Sequence, residues 1–523
     1  MTSMYSTYEP VKSMTTSKPS LNPVFDWKRL RFIAFWVFSI GLLCHGYCFL
    51  NAYLSHDSLY SIYESGPGLM LSVGRYGRVI YRMLRGSFTL PALNGFLSLL
   101  YLTLAVYLLT DILSIRKKSF LILTCGILVA NSTVSLMNAT YLHDADAYSL
   151  ALLLASAGAW TALRCKYGGL ISIVFYGASL SIYQAFINVV ICLWLFLGLT
   201  ALLDGEKPLQ VLLKTVRRML SIAAAMALYY LGYRLILQVT GIEPSSLSTM
   251  SSVSFSISSL LSCLGKVIDT ERQWFFQPIG TRSGLLLGIN LALTALSFLA
   301  LGSLAVKKKL APTAWLLGLV LLLAMPLGMD AVALVSDTYH EITLYALFLT
   351  YPLMLSLMER YLALPGKSFK GTLCALLLAV MLFDNALYSN TIYLKKQLES
   401  QQTLSVYTRI LDRMEQTEGY VSGETPVVLV GGHTRMILNT RRKGFDYRPA
   451  GLTQSLAATY YDTMKNYFHY YLGNPVNFGD GDIQWQVAHM EEMYQMPLYP
   501  APGSVRMIDG IMVVKLSQPT PED

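Results

Sequence analysis

The sequence predicts an α-helical polytopic membrane protein with about eleven transmembrane helices and a small α/β C-terminal domain outside the cytoplasm. Three observations predict it. Hydrophobic residues make up 54% of the 523 and charged residues only 14%, and the mean hydropathy is +0.46, more apolar content than a water-soluble core of this length requires. The apolar residues fall in runs long enough to cross a bilayer. Basic clusters punctuate those runs at every second loop.

The runs lie near residues 31–54, 90–113, 119–137, 148–163, 168–183, 186–203, 219–239, 284–305, 310–329, 342–358 and 371–388. Lys28/Arg29/Arg31, Arg116/Lys117/Lys118, Arg164/Lys166, Lys214/Arg217/Arg218, Lys307/Lys308/Lys309 and Arg360/Lys367/Lys370 mark the cytoplasmic face. The stretch 168–203 is barely long enough for two crossings, but basic clusters flank it on both sides and demand an even number. The N-terminus is then inside. Residues 1–25 form a polar, Ser/Thr-rich cytoplasmic tail predicted to be disordered. Residues 26–390 are the membrane domain, and 391–523 lie outside, in the periplasm of a Gram-negative cell. The first apolar run lacks a small-residue cleavage site and is expected to be retained.

Composition also narrows the function. The formal charge of +9 sits in short clusters between apolar runs rather than on one basic face, so topology accounts for it and nucleic acid is not an expected partner. None of the seven cysteines falls in the hydrophilic C-terminal region, and no disulfide framework or paired-cysteine metal site is implied. That region starts with a polar helical stretch from Thr391 to about Glu418, followed by a strand Val427–Val430. Ile508-Asp509-Gly510-Ile511 has the form of a hairpin turn. The Gly431-Gly432 pair lacks the spacing of a phosphate loop.

The first outer loop departs from the positive-inside pattern. Arg75, Arg78, Arg82 and Arg85 follow Gly66-Pro67-Gly68 at spacings that put all four on one helical face, opposite Leu69, Val73, Val79, Ile80, Met83 and Leu84. A helix of this kind in the membrane interface offers guanidinium groups to a lipid phosphate, for which the planar fork of arginine is suited. Nonspecific contact with anionic phospholipid is the alternative.

Three acids share that surface: Asp57, in the segment SHDSL, and Asp144 with Asp146, in YLHDAD. Transfer of a sugar from a polyprenyl phosphate needs a base for the acceptor hydroxyl and cations for the departing phosphate, which carboxylates facing an arginine helix would supply. Helix capping is the competing role, above all for Asp146. His56 and His143 each precede an Asp, which permits a metal site, although no four-ligand set is visible and solvated loop histidines have the same spacing. Tyr183-Gln184, with Asn188 one turn along, either contacts sugar or bonds between helices. Asp330, Asp337, His340 and Glu341 form another acidic outer loop, serving the acceptor or simply solvated. The aromatic stretch Thr459–Gly473 either stacks on sugar rings or packs as an amphipathic helix.

SHDSL with GRYGRVI, NATYLHDADAYSLAL and SLSIYQAFIN resemble, in order and loop placement, segments of the Gtr-type bacterial O-antigen glucosyltransferases, the polytopic enzymes of lipopolysaccharide serotype conversion. The resemblance covers most of the first 205 residues, and the rest in general layout. Where the family shows two adjacent acids in the first loop, this chain has His56-Asp57. The resemblance implies a GT-C-like fold in the bacterial inner membrane. It also implies undecaprenyl-phosphate glucose, or another hexose, as donor and an O-antigen or lipid-linked glycan as acceptor, on the periplasmic face. By the same resemblance Asp57 is the leading base and Asp144 a second essential acid. Arg78 is a donor-phosphate ligand with Arg75 in support, and Tyr183 and Gln184 are pocket residues. From its place on the same helical face Arg82 joins the donor-phosphate candidates, and from their positions beside the acids His56, His143 and Asp146 join the pocket candidates. No cofactor is implied beyond an allowed divalent cation, Mg²⁺ or Mn²⁺, which would use Asp57, Asp144 or Asp146.

Two other classes fit many helices with few polar groups. A polyprenyl-lipid flippase or transporter would carry paired intramembrane charges and internal repeats. No convincing repeat is present, and the charges cluster in outer loops. A noncatalytic envelope-assembly scaffold would use the outer tail as its binding module.

Overall fold

The computed structural model describes residues 25–51, 55, 58–59, 67–245, 257–331, 341–364, 368–431 and 461–518. The N-terminal tail, His56, Asp57, Asp337, His340, Gly432 and Tyr460 lie outside the described residues.

Helix α1 (Trp27–Leu50) opens on Asp26, whose carboxylate accepts from the Arg29 amide at 3.0 Å and so satisfies one of the donors a helix start leaves unpaired. Two short helices, α2 (Gly68–Ser72) and α3 (Tyr76–Arg85), precede α4 (Pro91–Ile112). Next come α5 (Lys118–Val129), α6 (Ser132–Tyr141), α7 (Ala145–Arg164), α8 (Gly168–Ile182), α9 (Ile187–Leu203) and α10 (Pro208–Thr240). The second half of the bundle is α11 (Ile257–Phe276), α12 (Ser283–Lys307), α13 (Pro312–Met329), the short α14 (Tyr345–Phe348), α15 (Thr350–Leu362) and α16 (Ser368–Glu415). Proline at the first turn of α4, α10 and α13 stands where its missing N–H has no intrahelical role.

Each of the eleven apolar runs falls on helix over most of its described residues. By length and apolarity, eight helical stretches among the described residues suit a membrane crossing: α1, α4, the Lys118–Arg164 stretch that comprises α5, α6 and α7, Gln184–Leu203, α10, α12, α13 and Phe369–Glu415. Helix α8 is apolar but has only 15 residues, and the run at 342–358 divides into α14 and α15. The pattern α4 on α7, α7 on α8 and α1 on α4 makes the core, while Leu228, Leu231 and Leu235 of α10 stay exposed as a lipid-facing side would. At the ends of α4 and α7, Asp111 gathers Arg29 at 3.2 Å, Arg116 at 2.9 Å and Arg164 at 3.1 Å. Three of the basic clusters therefore meet at one end of the bundle.

Helix α16 runs unbroken from the bundle into the C-terminal region, so the polar stretch after Thr391 continues an apolar helix rather than starting a new one. Its far half buries Val406, Tyr407, Ile410 and Met414 against a small sheet. The strands β1 (Pro426–Val430), β2 (Asn477–Phe478), β3 (Val505–Ile508) and β4 (Ile511–Lys515) take the order β2-β1-β4-β3. The β1–β4 pair is parallel and β3–β4 is an antiparallel hairpin with Ile508 opposite Ile511. Asp509 and Gly510 both have positive φ, 48° and 78°, as the predicted two-residue turn requires. Helices α17 (Tyr461–Tyr470), α18 (Gly481–Ala488) and α19 (Glu491–Gln495) complete the unit. Tyr467 and Phe468 are buried in its core, so packing accounts for the centre of the aromatic stretch.

Candidate functional site

The segment between α1 and α4 does not form one helix. Gly74, at φ +79°, breaks it between α2 and α3, and Arg75 becomes the residue before α3 rather than a member of its face. The remaining arginines keep the predicted spacing, but the helix is turned with its charges inward. Leu69, Ile80, Met83 and Leu84 are exposed, whereas Arg78 is only 2% exposed. Glycine makes the close seat possible: a Cβ at Gly77 would meet the Ser181 Cβ at 2.9 Å and its backbone carbon at 3.1 Å.

Inward-facing guanidinium groups meet the acids of YLHDAD, which the tight turn between α6 and α7 brings alongside. Arg78 pairs with the fully buried Asp144, and His143 Nε2 lies 3.2 Å from the same carboxylate oxygen. Arg78 also donates to the Tyr148 hydroxyl at 3.3 Å. Arg85 pairs with Asp146 at 3.0 Å and donates to the His143 carbonyl at 2.6 Å. The Tyr81 hydroxyl donates to Asp146 at 2.8 Å, and Asn94 from α4 reaches the same carboxylate at 3.4 Å. Burial and the neighbouring Asp146 carboxylate push the Tyr81 phenol well above its usual range. Asp144 precedes α7 without making a side-chain capping bond, so its carboxylate serves arginine rather than the helix end. Asp146 lies in the first turn of α7, where the helix dipole also favours its charge.

Two of these four arginines, Arg75 and Arg82, form no ion pair with a carboxylate among the described residues. Arg75 lies over the Tyr183 ring at 5.2 Å. Arg82 donates to the Ser87 carbonyl at 3.1 Å. Its own burial, then the adjacent charges of Arg78 and Arg85, lower its pKa to about 10.

Tyr183 and Gln184 form the turn between α8 and α9. Tyr183 packs edge-on against Tyr148, ring centroids 4.6 Å apart, and Gln184 donates to the Tyr229 hydroxyl at 2.8 Å and to the Val73 carbonyl at 3.4 Å. The turn thus touches the arginine segment on one side and the Asp144 neighbourhood on the other. Asn188 is instead buried, donating to the Met329 carbonyl at 3.1 Å, in the manner of a helix–helix bond. Asp330 stands apart from the cluster, against Thr270 and Glu271 of α11. Burial raises the Asp330 pKa to about 6; burial and then Asp330 raise that of Glu271 to about 8.

Arg75, Arg78, Arg82, His143, Asp144, Asp146, Tyr183 and Gln184 therefore belong to one connected cluster; His56 and Asp57 lie outside the described residues. Tyr81, Asn94, Tyr148 and Tyr229 belong to it as well and were not singled out from the sequence. Asn94 had a signal, as a lone amide near the start of an apolar run. Tyr148 also had one, a single helical turn after Asp144. Asp144 and Asp146 are each held by a guanidinium, so this pair does not fit a metal-ligating role. Among the described residues no group of three His, Cys, Asp or Glu side chains gathers elsewhere.

The fold and cluster define a polytopic membrane protein with a buried arginine–carboxylate site near one end of its helices. The family model described as glucosyl transferase GtrII matches residues 46–357, more than half of the chain and every element of the cluster. The chain belongs to that glucosyltransferase family. No curated protein and no solved structure matches it.

Proposed function

We propose that this protein transfers glucose, or another hexose, from an undecaprenyl-phosphate sugar to lipopolysaccharide O-antigen at the periplasmic face of the bacterial inner membrane. About eleven crossings and a GT-C-like architecture go with that reading. One observation carries the choice of donor. Four arginines line this segment, two of them paired with Asp144 and Asp146, and two, Arg75 and Arg82, form no ion pair with a carboxylate among the described residues. An anionic phosphate at those two would relieve the crowding of like charge around Arg82 and gain paired, charge-assisted hydrogen bonds.

The roles divide accordingly. Arg75 and Arg82 hold the donor phosphate and stabilise the charge that builds on it as the sugar–phosphate bond breaks. Arg78, engaged by Asp144, supports the phosphate site instead of supplying its first ligand, a change from the role drawn from the motif. Asp144 is a poor base while it neutralises Arg78, and it acts by fixing that guanidinium. Removal of the acceptor hydroxyl proton is assigned to Asp57, on the motif alone. Tyr183 and Gln184 line the sugar side, with Tyr148 behind them. No step is routed through a metal.

The test is transfer of radiolabelled glucose from undecaprenyl-phosphate glucose to lipopolysaccharide or its lipid-linked precursor. Detergent-purified protein is compared with its Asp57→Asn variant. Label transferred by the wild type and not by an equally folded variant supports the reading. Donor binding without transfer by either protein favours a flippase or scaffold.

A further inference from the structure

The C-terminal region touches the bundle at the segment between α1 and α2. Ser55 caps the start of the helical turn that holds Ser58 and Leu59: the Ser55 amide donates to Ser58 Oγ at 2.8 Å, the Ser58 amide to Ser55 Oγ at 3.1 Å, and the Leu59 amide to the Ser55 carbonyl at 3.1 Å. Such a reciprocal cap fixes the backbone locally without help from a neighbouring element. This one is nevertheless fastened on two sides. Ser55 Oγ donates to the Thr140 carbonyl at 2.6 Å, in the last turn of α6, immediately before His143 and Asp144. On the other side Leu59 is completely buried in the core of the C-terminal unit, among Tyr407, Ile410, Met464 and Phe468. Its carbonyl accepts from Asn466 Nδ2 of α17 at 3.0 Å.

We infer that the C-terminal unit is a working part of the transferase site: through Leu59 and Asn466 it positions Ser55 and the helical turn at Ser58 and Leu59 against Thr140 at the end of α6, three residues before His143 and four before Asp144. This rests on the transferase reading above. Two physical features favour positioning over simple packing. A leucine from the segment between α1 and α2 enters the core of another unit, which ties that segment's place to that unit's folding. A side-chain amide then fixes the segment's backbone rather than its side chain, so the contact specifies position whatever residue stands at 59. Asn466 is a positioning residue here, since it reaches the chemistry only through the turn.

The experiment compares full-length wild type with Asn466→Ala and Asn466→Gln, the latter keeping the amide donor. Two readouts are taken: hydrogen exchange of the peptide spanning residues 55–59, and kcat and KM for undecaprenyl-phosphate [14C]glucose with lipopolysaccharide as acceptor. In the alanine variant, exchange at the Ser58 and Leu59 amides is expected to accelerate. Its kcat should fall about tenfold to a hundredfold, the penalty of a small misplacement near reacting groups, with donor KM unchanged and part of the loss restored by glutamine. Unaltered exchange, or kcat within twofold of wild type, overturns the inference. So does equal loss in both variants together with a lowered melting temperature, which would mark Asn466 as purely structural. If wild type itself transfers no label, the transferase reading is what fails, and unaltered or accelerated exchange still decides whether Asn466 holds the turn.

Discussion

Arg78 and Asp144 form an ion pair buried from solvent, the one on a short helix before α4 and the other at the turn into α7. Neither charge has water to stabilise it, so each depends on the other. Removing one partner leaves an uncompensated charge, at a cost of about 3–5 kcal/mol. Asp144→Asn and Arg78→Met alone should therefore each lower the denaturation midpoint in detergent sharply. The double variant Arg78→Met/Asp144→Leu, with an apolar pair in place of the ionic one, should recover much of that stability and none of the transfer activity. Recovery of activity along with stability would show that the pair is a structural lock and not part of the site.

Substitution of Arg75 or Arg82 should behave differently. Neither forms an ion pair with a carboxylate among the described residues, so Arg75→Ala and Arg82→Ala should leave thermal stability close to wild type. Losing a charged hydrogen bond to phosphate should weaken undecaprenyl-phosphate binding about tenfold to a hundredfold, measurable with radiolabelled lipid in a scintillation proximity assay. Unchanged lipid affinity in both variants would remove the phosphate from this position.

Gly77 supplies a steric test. An added methyl would press on the Ser181 backbone, and α3 would have to lift from α8. Gly77→Ala should cost about 1–3 kcal/mol and reduce transfer more than the change at the exposed helical Gly169, Gly169→Ala, where an added Cβ meets nothing. Equal activity in the two variants would mean that α3 does not need its close seat.

Glu271 and Asp330 give the protein a pH dependence unrelated to the arginine cluster. Burial, and then Asp330, raise the Glu271 pKa to about 8 from an ordinary 4.5, so the folded protein holds a proton that the unfolded chain has already released. Asp330, raised to about 6 from 3.8, acts with the same sign. The folded state binds more protons, so stability falls as pH rises from about 4.5 to 8, by at most about 1.4 kcal/mol per pH unit for one proton. Melting temperature measured across that window should decline, and Glu271→Gln should flatten the decline. A slope of the opposite sign would mean that the carboxylates are ionised and paired.

The apolar helices were legible in the sequence because a membrane-spanning helix depends on one-dimensional properties, run length and apolarity. Every run falls on helix over most of its described residues, and the hairpin at Asp509-Gly510 follows from the residues that tolerate positive φ. The polar stretch after Thr391 was harder, because loss of apolarity signals exit from lipid but not the end of a helix, and α16 continues through it.

The members of the site were legible as residue types and motifs; their partners were not. Spacing placed the arginines together, but it could not show that Gly74 drops Arg75 out of the helix or that the charged face points inward. Nor does anything local to GRYGRVI or YLHDAD indicate that Arg78 takes Asp144 and Arg85 takes Asp146, while Arg75 and Arg82 form no ion pair among the described residues. Those assignments come from how α3 seats on α8 and α4 on α7. Sequence by itself determined which groups enter the membrane protein and in what order. Tertiary structure alone decided which charges neutralise one another, because ion pairing depends on distances of a few ångströms between segments that only helix packing brings together.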